Sequence, residues 1–254
     1  MKHIPNLFTL LNLFFGCCAI VFLLQNGVVI FFNNGGPELV DMPEKATIAS
    51  LFIGLAALID FLDGFIARLF RATSAMGKQL DSLADVVSFG VAPGMILYQF
   101  LRLSYAREEN GLDVSLIWLL PAFILPCAAA WRLAKFNIDE GQQYSFKGVP
   151  TPAVGLLVGS LPLIYWYTHN ETVIDLLRNK YLLYAIIFLL SFLMVSDLPI
   201  MSMKFKDYSL KNNASKIILV IASIVLAATL KWLAVPAIFV LYIAVSLVFK
   251  NKSA

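Results

Sequence analysis

Long apolar stretches recur along the whole of this chain, and they constrain its fold more than any other feature. A helix needs roughly 20 mainly apolar residues to cross the hydrocarbon core of a bilayer. Here 60% of the 254 residues are hydrophobic and only 14% are charged, a balance that soluble globular domains do not have. Because the polar segments between the stretches are too short to hold a soluble domain, the sequence predicts an all-α, polytopic transmembrane helix bundle.

Eight apolar windows predict eight spanning helices, with six or seven spans as alternatives because the last two windows nearly touch and a re-entrant hairpin would give the same pattern. The windows cover residues 7–32, 46–70, 80–104, 114–135, 152–168, 181–199, 215–232 and 234–250. The first window runs past the length of a signal-peptide core without an A-x-A cleavage site, so we expect it to remain in the protein. We expect residues 1–254 to form a single membrane-embedded domain, to which the spans within 181–250 are accessory.

Basic residues are distributed unevenly between the two sides of this eight-span arrangement. One side collects 13 of the 19 Lys and Arg residues, and basic residues are retained on the cytoplasmic side of a membrane. The sequence therefore predicts that both termini face the cytoplasm. The net charge of +3 reflects this topology signal, and it gives no indication of nucleic-acid binding.

Four aspartates lie at the cytoplasmic ends of the second and third predicted spans. A charged side chain at membrane depth costs at least about 2.5–3.5 kcal/mol, so these residues need a compensating partner. Asp60 and Asp63 are three residues apart and share one helix face. Asp81 and Asp85 are four residues apart and share another. Two such faces turned toward each other would form an all-oxygen pocket, and this pattern predicts a divalent-metal site that also holds substrate phosphates.

Two glycines and an arginine accompany the aspartates. Gly64 directly follows Asp63 and has no side chain, so a ligand can approach the helix backbone closely there. Arg68 lies just over one helical turn beyond Asp63, where its planar guanidinium could bind a phosphate through two hydrogen bonds. Gly77 opens the third span, and two interpretations stay open for it: a tight turn or close helix contact, and a direct contact with the ligand.

These residues form the pattern D-x2-D-G-x2-A-R-x8-G-x3-D-x3-D, which runs from Asp60 to Asp85. The pattern resembles the signature of the CDP-alcohol phosphatidyltransferase family at every fixed position. The resemblance implies a membrane helix bundle, often a homodimer, in which an alcohol displaces CMP from a CDP-activated lipid in the presence of Mg²⁺ or Mn²⁺.

The resemblance also implies a role for each matched residue. The expected metal ligands are Asp60, Asp63, Asp81 and Asp85, and Asp85 is also the expected general base. Contacts to the CDP group are expected from Gly64, Arg68 and Gly77. The opening stretch PNLFTLLNLFFG is similar to the first helix of the family, so its Asn6 and Thr9 are expected near the nucleotide.

Three further stretches resemble the phosphatidylserine synthase branch of this family: SLADVVSFGVAPG after Asp81, RLAKFN at 132–137 and FKGVPTPA at 146–153. The resemblance implies transfer of the phosphatidyl group from CDP-diacylglycerol to L-serine, giving phosphatidylserine and CMP. The serine carboxylate would need a cation, and Arg132 or Lys135 could supply it. The alternative for both residues is anchoring of a helix end, with the charged group reaching the membrane interface.

Two other functions stay open at this point. The same reaction could use another alcohol: glycerol 3-phosphate, inositol or choline. A cation transporter could instead use the membrane aspartates as an ion path, but such a path needs polar groups at the opposite depth, whereas the aspartates cluster at one face. Because CDP and small alcohols are cytoplasmic and acyl chains need lipid, we expect the active site at the cytoplasmic face of a bacterial or archaeal-type cell membrane.

Overall fold

The computed structural model describes residues 4–25, 27–31, 39–69, 74–108, 113–138, 145–201 and 213–248. Within these ranges the chain forms eleven α-helices: α1 (Ile4–Gln25), α2 (Ala46–Leu69), α3 (Ala75–Asp85), α4 (Ala92–Ala106), α5 (Ile124–Ile138), α6 (Thr151–Gly159), α7 (Leu161–Tyr167), α8 (Glu171–Leu177), α9 (Lys180–Val195), α10 (Ala214–Leu230) and α11 (Ala234–Val248). A π-helix, Val86–Val91, connects α3 to α4.

Four helical segments in the described ranges are long and apolar enough to cross a membrane: Pro5–Gln25, Ala46–Ile66, Ala75–Ala106 and Ser215–Val248. Helices α8 and α9, bent by 68° relative to each other, would add a fifth if they form one span. The prediction of a helical membrane protein is thereby confirmed. The count of eight spans and the cytoplasmic location of both termini stay predictions.

Three of the predicted spans are shortened or interrupted. The window 7–32 is too long, because α1 ends at Gln25 and a β-strand occupies Val29–Phe31. Helix α5 begins only at Ile124, because 3-10 turns occupy Leu116–Trp118 and Leu120–Phe123. The window 152–168 corresponds to α6 and α7, which part at Ser160. Pro162 explains this break, since proline has no N–H to donate to the carbonyl group four residues earlier.

Two short antiparallel strand pairs, absent from the all-α prediction, lie between the helices. Strand β1 (Val29–Phe31) pairs with β2 (Leu39–Asp41), and β3 (Ser145–Lys147) pairs with β4 (Pro199–Met201). The second pair joins the segment that enters α6 to the segment that leaves α9. Gly148 follows β3 with a φ of 76°, and a Cβ there would meet the backbone at the end of α9. Glycine is therefore required for this close turn.

The segment Ala75–Ala106 is the centre of the bundle. Its apolar window is 61% buried, against 28% for the windows of α1 and α2 and 11% for Ser215–Val248. Helix α6 approaches this segment closely at Gly155, since small residues permit close packing of helices. A Cβ at Gly155 would lie only 2.7 Å from the Cβ of Phe89. The segment that carries the last two aspartates of the signature is thus the most enclosed of the four.

Helices α10 and α11 form a pair at the edge of the bundle. They pack on each other and are joined by a 3-10 turn, Lys231–Leu233, in which Lys231 has a φ of 51°. Large apolar side chains of α10, among them Ile221 and Ile224, are exposed, as expected of a surface that faces lipid. Helix α11 also packs on α6 and on β4. Ser215 of α10 bonds to Met201 of β4, so both helices of the pair contact the bundle.

Candidate active site

Three aspartates from two helices meet between α2 and α3. Asp60 and Asp63 lie on α2 and Asp81 lies on α3, and each offers a carboxylate oxygen such that the three oxygens lie within 4.8 Å of one another. Helix α1 packs on both α2 and α3 and holds them in this arrangement. The two helix faces predicted from the spacing of the aspartates therefore do turn toward each other.

This donor set fits a divalent cation. Ionised carboxylates this close repel one another, and Asp63 is buried while Asp60 and Asp81 are half-buried, so water screens the repulsion poorly. Oxygen ligands of this kind are those that Mg²⁺ and Mn²⁺ prefer. Because a bound cation would offset the repulsion, the three carboxylates form a candidate metal centre.

Asp85, the last residue of α3, lies next to this centre. Its side chain is only 6% exposed, and its carboxyl group interacts with that of Asp60. The side-chain amide of Asn12 donates a hydrogen bond to Asp85 Oδ1 at 3.4 Å. The structure thus brings all four predicted aspartates together, and Asp85 is the one that accepts a hydrogen bond from the Asn12 side chain.

Helix α1 presents a polar face to the carboxylates. The Thr9 hydroxyl donates to Asp63 Oδ2 at 2.7 Å, and Asn12, three residues later on the same face, reaches Asp85. The Ser88 hydroxyl in turn donates to the backbone carbonyl of Asn12 at 3.0 Å. Thr9 was predicted near the site and Asn12 was not, although a polar residue within an apolar span, one turn from Thr9, is a signal that could have identified it.

Asn6 and Gly77 lie against each other at the start of α3. Ser74 caps this helix by accepting a hydrogen bond from the Gly77 N–H at 2.9 Å. A Cβ at Gly77 would lie 3.1 Å from Asn6 Oδ1 and 3.1 Å from Ser74 Oγ. The close helix contact, one of the two interpretations of Gly77, is therefore present between α1 and α3.

The other two predicted CDP contacts lie on α2. Gly64 is half-buried and directly follows Asp63, so it adds no side chain beside that carboxylate. Arg68 belongs to the last turns of α2, but its side chain lies outside the part of the chain that the structure describes. Its predicted contact with the CDP group stays a prediction.

The π-helix Val86–Val91 begins immediately after Asp85. A π-helix has a wider turn than an α-helix, and such segments are frequent at functional sites. Here the wider turn carries two buried side chains, Ser88 toward α1 and Phe89 toward α6. The π-helix therefore packs between α1 and α6, and these contacts fix the position of Asp85 at the end of α3.

A buried cation interacts electrostatically with Asp85. Arg132 of α5 is only 7% exposed, and it is an electrostatic neighbour of Asp85. Its Nη1 donates to the Thr151 hydroxyl of α6 at 3.1 Å, whereas its Nε has no partner among the described residues. A buried donor without a partner is unfavourable, and an anionic ligand would satisfy it.

Lys135, the second predicted serine contact, has a different partner. Its Nζ lies 2.7 Å from Asp197 Oδ1 in an ion pair, and both side chains are well exposed. The hydrogen bond from Lys135 holds the pKa of Asp197 below its usual value. Because Lys135 already has an anionic partner, Arg132 is the better candidate for binding another anion.

The end of α5 also holds α3 in place. Lys78 Nζ donates to the backbone carbonyl of Asn137 at 3.0 Å, and Asn137 Nδ2 donates to the Ser82 hydroxyl at 2.8 Å. Ser82 directly follows Asp81, so these two bonds position a carboxylate of the metal centre. The stretch RLAKFN was singled out for its resemblance to the phosphatidylserine synthase branch, with Arg132 and Lys135 as possible serine contacts, and the structural role of its asparagine was missed.

Comparison with known proteins supports this view of the site. The CDP-alcohol phosphatidyltransferase family matches residues 2–198 of the chain. Helices α10 and α11 lie beyond the matched segment.

Several relatives share one name, CDP-diacylglycerol--serine O-phosphatidyltransferase. The chain is 32% identical to the protein of that name from Helicobacter pylori, over 98% of this chain and 96% of the relative. It is also 32% identical to one from Bacillus subtilis, over 65% of this chain and 78% of the relative. A third, from Saccharomyces cerevisiae, is 35% identical over 61% of this chain and 52% of the relative. On these grounds the chain belongs to the CDP-alcohol phosphatidyltransferase family.

Proposed function

We propose that this chain transfers the phosphatidyl group of CDP-diacylglycerol to L-serine, giving phosphatidylserine and CMP. The observation that carries the proposal is the cluster of three carboxylates, together with the buried guanidinium of Arg132, which interacts electrostatically with Asp85. The names of the relatives point to the same reaction. The oxygen of the serine hydroxyl forms a bond to the phosphorus that bears diacylglycerol, and the bond from that phosphorus to the CMP oxygen breaks.

Asp60, Asp63 and Asp81 would hold the metal, with Asp85 as a further ligand. When bound, Mg²⁺ or Mn²⁺ neutralises the diphosphate and stabilises charge on the departing CMP. The Thr9 hydroxyl fixes the orientation of the Asp63 carboxylate through its hydrogen bond, as outer partners of metal ligands commonly do.

Asp85 accepts the proton of the serine hydroxyl as the new bond forms. The Asn12 amide occupies Oδ1 of this carboxylate and so orients it. The second oxygen can accept the proton and later release it to solvent. Proton transfer to a carboxylate is feasible here because the hydroxyl becomes acidic in the transition state.

Arg132 binds the carboxylate of serine. Its Nε has no partner among the described residues, and a guanidinium can bind a carboxylate through two parallel hydrogen bonds. A buried cation disfavours choline, which is itself a cation, and it offers uncharged inositol no ion pair. Of the other acceptors, glycerol 3-phosphate is the one that carries an anion, so it is the rival that needs an experimental test.

The nucleotide lies on the side of the site formed by α1, α2 and the start of α3. We assign Asn6, Thr9, Gly64, Arg68 and Gly77 to contacts with the CDP group or to the walls of its pocket. Two observations support this assignment: Thr9 bonds to the carboxylate cluster, and Asn6 lies against Gly77.

The location and assembly of the enzyme are further parts of the proposal. We propose that it is a homodimer in a bacterial or archaeal-type cell membrane, with its active site and both termini on the cytoplasmic side. We also propose that it forms one membrane-embedded domain, to which the last spans are accessory. Serine and CMP are soluble in the cytoplasm, whereas the acyl chains of the lipid lie in the membrane. The reaction therefore needs a site at the interface between the membrane and the cytoplasm.

The proposal is tested by offering one acceptor at a time to the purified protein. Vesicles that contain CDP-diacylglycerol and Mn²⁺ are supplied with serine, glycerol 3-phosphate, inositol or choline, and the lipid product is identified by mass spectrometry. We expect phosphatidylserine with serine and no product with the other three. A product from another alcohol, or movement of Mn²⁺ across the vesicle membrane without any product, would reject the proposal.

A further inference from the structure

The start of α6 holds the guanidinium of Arg132. Arg132 Nη1 donates a hydrogen bond to the Thr151 hydroxyl at 3.1 Å, and Thr151 is the first residue of that helix. Both residues are buried, with exposures of 7% for Arg132 and 0% for Thr151. Water therefore competes little for this hydrogen bond, which joins α5 to α6.

The position of Arg132 favours the binding of an anion. None of the ion pairs between described residues includes this arginine, and its Nε has no hydrogen-bond partner among them. The bond to Thr151 places the guanidinium at the N-terminus of α6, where the positive end of the helix dipole adds to the charge of the arginine. An anion bound there interacts favourably with both.

The backbone around Thr151 is fixed by its neighbours. A proline precedes this residue and another follows it, and the ring of each proline fixes its own φ. The N–H groups of Gly148 and Val149 donate to the carbonyl groups of Leu198 and Leu193, at 2.8 and 3.0 Å. Threonine is also β-branched, which restricts its χ1 angle. The hydroxyl therefore offers the guanidinium an acceptor at a defined position.

We propose that Thr151 is a positioning residue for serine binding. Its hydroxyl holds Nη1 of Arg132, and the guanidinium then presents Nε to the serine carboxylate. A side chain that is already ordered loses less rotamer entropy when its ligand binds, so the hydroxyl raises the affinity for serine. Thr151 acts through Arg132 and does not touch the reacting atoms. This inference rests on the proposed function, in which Arg132 binds serine.

The substitution Thr151→Val tests the inference, because valine keeps the branched shape and removes the hydroxyl. We expect the KM for serine to rise roughly 3- to 10-fold, as the loss of one hydrogen bond of ordinary strength would give. The kcat and the KM for CDP-diacylglycerol should stay within about 2-fold of the parent values, because only the serine contact weakens. Serine-dependent CMP release measures all three quantities. Since KM does not depend on the amount of active protein, a less stable variant still gives an answer.

Two further variants serve as controls. Thr151→Ser restores a hydroxyl at the same position, so its KM for serine should lie within about 2-fold of the parent value. Thr47→Val makes the same change at another buried threonine in the first turn of a helix, where the hydroxyl donates to the Glu44 carbonyl at 2.7 Å. It should leave the KM for serine unchanged. An unchanged KM for serine in Thr151→Val, an equal rise in Thr151→Ser, or a fall in kcat with both KM values altered would overturn the inference.

Combining Thr151→Val with Arg132→Ala separates this inference from the proposed function. If Thr151 acts through Arg132, then Thr151→Val should change the KM for serine by less than about 2-fold once the guanidinium is absent. Full additivity of the two effects would overturn the inference and leave the role of Arg132 intact. An Arg132→Ala protein with a normal KM for serine would reject the proposed serine contact itself.

Discussion

Asp85 differs from the other aspartates of the site in what it contacts. The amide of Asn12 holds one of its oxygens, and the side chain is buried at the junction of α3 and the π-helix. A carboxylate that is oriented in this way, and that interacts electrostatically with the buried cation Arg132, can accept the proton of a serine hydroxyl. The proposed base is therefore supported by its partners as well as by its place in the signature.

The substitution Asp85→Asn should abolish turnover while nucleotide binding survives. Asparagine keeps the size of the side chain but cannot accept the proton, and loss of a general base lowers the rate by roughly 10²- to 10⁴-fold. Serine-dependent CMP release measures turnover, and the rise in melting temperature caused by CDP-diacylglycerol measures binding. Parental turnover in Asp85→Asn would contradict the proposed role of Asp85. The control is Asp197→Asn, the same change at an exposed aspartate.

Arg132 and Lys135 offer a matched pair of tests on one helix. Arg132→Ala should raise the KM for serine roughly 10- to 100-fold, because a hydrogen bond to a charged group contributes about 1.5–3 kcal/mol. Lys135→Ala should leave that KM unchanged, since Lys135 is paired with Asp197 at an exposed position. Serine titrations of CMP release give both values. The reverse ranking of the two variants would show that serine binds at the helix end instead.

Thr9 acts on the metal centre through Asp63. Thr9→Val keeps the shape of the side chain and removes the bond to Asp63 Oδ2. We expect the Mn²⁺ concentration for half-maximal activity to rise roughly 10- to 100-fold, as is typical for outer partners of metal ligands. The control is Thr229→Val on α10, where the hydroxyl bonds only to carbonyl groups of its own helix. An unchanged Mn²⁺ requirement in Thr9→Val would show that Asp63 needs no orientation.

At the scale of elements, the contact between α6 and the π-helix positions the site. A Cβ at Gly155 would lie 2.7 Å from the Cβ and 2.9 Å from the Cα of Phe89, so a side chain there must move backbone. Phe89 lies four residues after Asp85 on the same continuous segment. Pushing these helices apart would therefore disturb both the packing and the position of the proposed base.

Gly155→Ala should lower the free energy of unfolding by about 1–3 kcal/mol, the usual effect of overpacking a core. Its CMP release should fall as well, because Asp85 shifts with the π-helix. Gly54→Ala is the control, since a Cβ at Gly54 meets nothing within 4 Å, and alanine favours a helix more than glycine. Thermal unfolding of the two purified proteins in detergent compares them, and equal melting temperatures would contradict this account of the contact.

The local sequence pattern predicts some elements well and others poorly. Helix α2 is long and mainly apolar, so its window, 46–70, agrees with the structure. The window 7–32 was too long, because α1 ends at Gln25 and strand β1 occupies Val29–Phe31. The start of α5 was misplaced because 3-10 turns and an α-helix can carry the same apolar composition. The π-helix and the β3–β4 pair could not be predicted, since each depends on contacts with residues far away in the chain.

The same distinction applies to the site within the whole molecule. The spacing of Asp60 and Asp63, and of Asp81 and Asp85, has a direct meaning on a helix, so their convergence could be predicted. The hydrogen bonds that orient them, from Asn12 and between Asn137 and Ser82, join residues more than fifty positions apart. Such contacts follow from the packing of α1 and α5 on α3, which the pattern of a single helix does not contain.

The whole molecule combines two environments that the reaction needs. Its apolar helices are long enough to cross a membrane, while the aspartates of the signature lie where α1, α2 and α3 meet, next to α5. A buried arginine, Arg132, interacts electrostatically with Asp85 there, so one site can hold a metal with diphosphate and an anionic acceptor. This juxtaposition is the central claim of the proposed mechanism.

Dependence of CMP release on both a divalent ion and serine tests this claim most directly. The purified protein is assayed in vesicles that contain CDP-diacylglycerol, first with Mn²⁺ and serine, then after addition of EDTA, and again after Mn²⁺ or Mg²⁺ is restored. We predict CMP release only when serine and the metal are both present, with loss of activity in EDTA and recovery after the metal returns. CMP release that persists in EDTA, or that does not depend on serine, would contradict it.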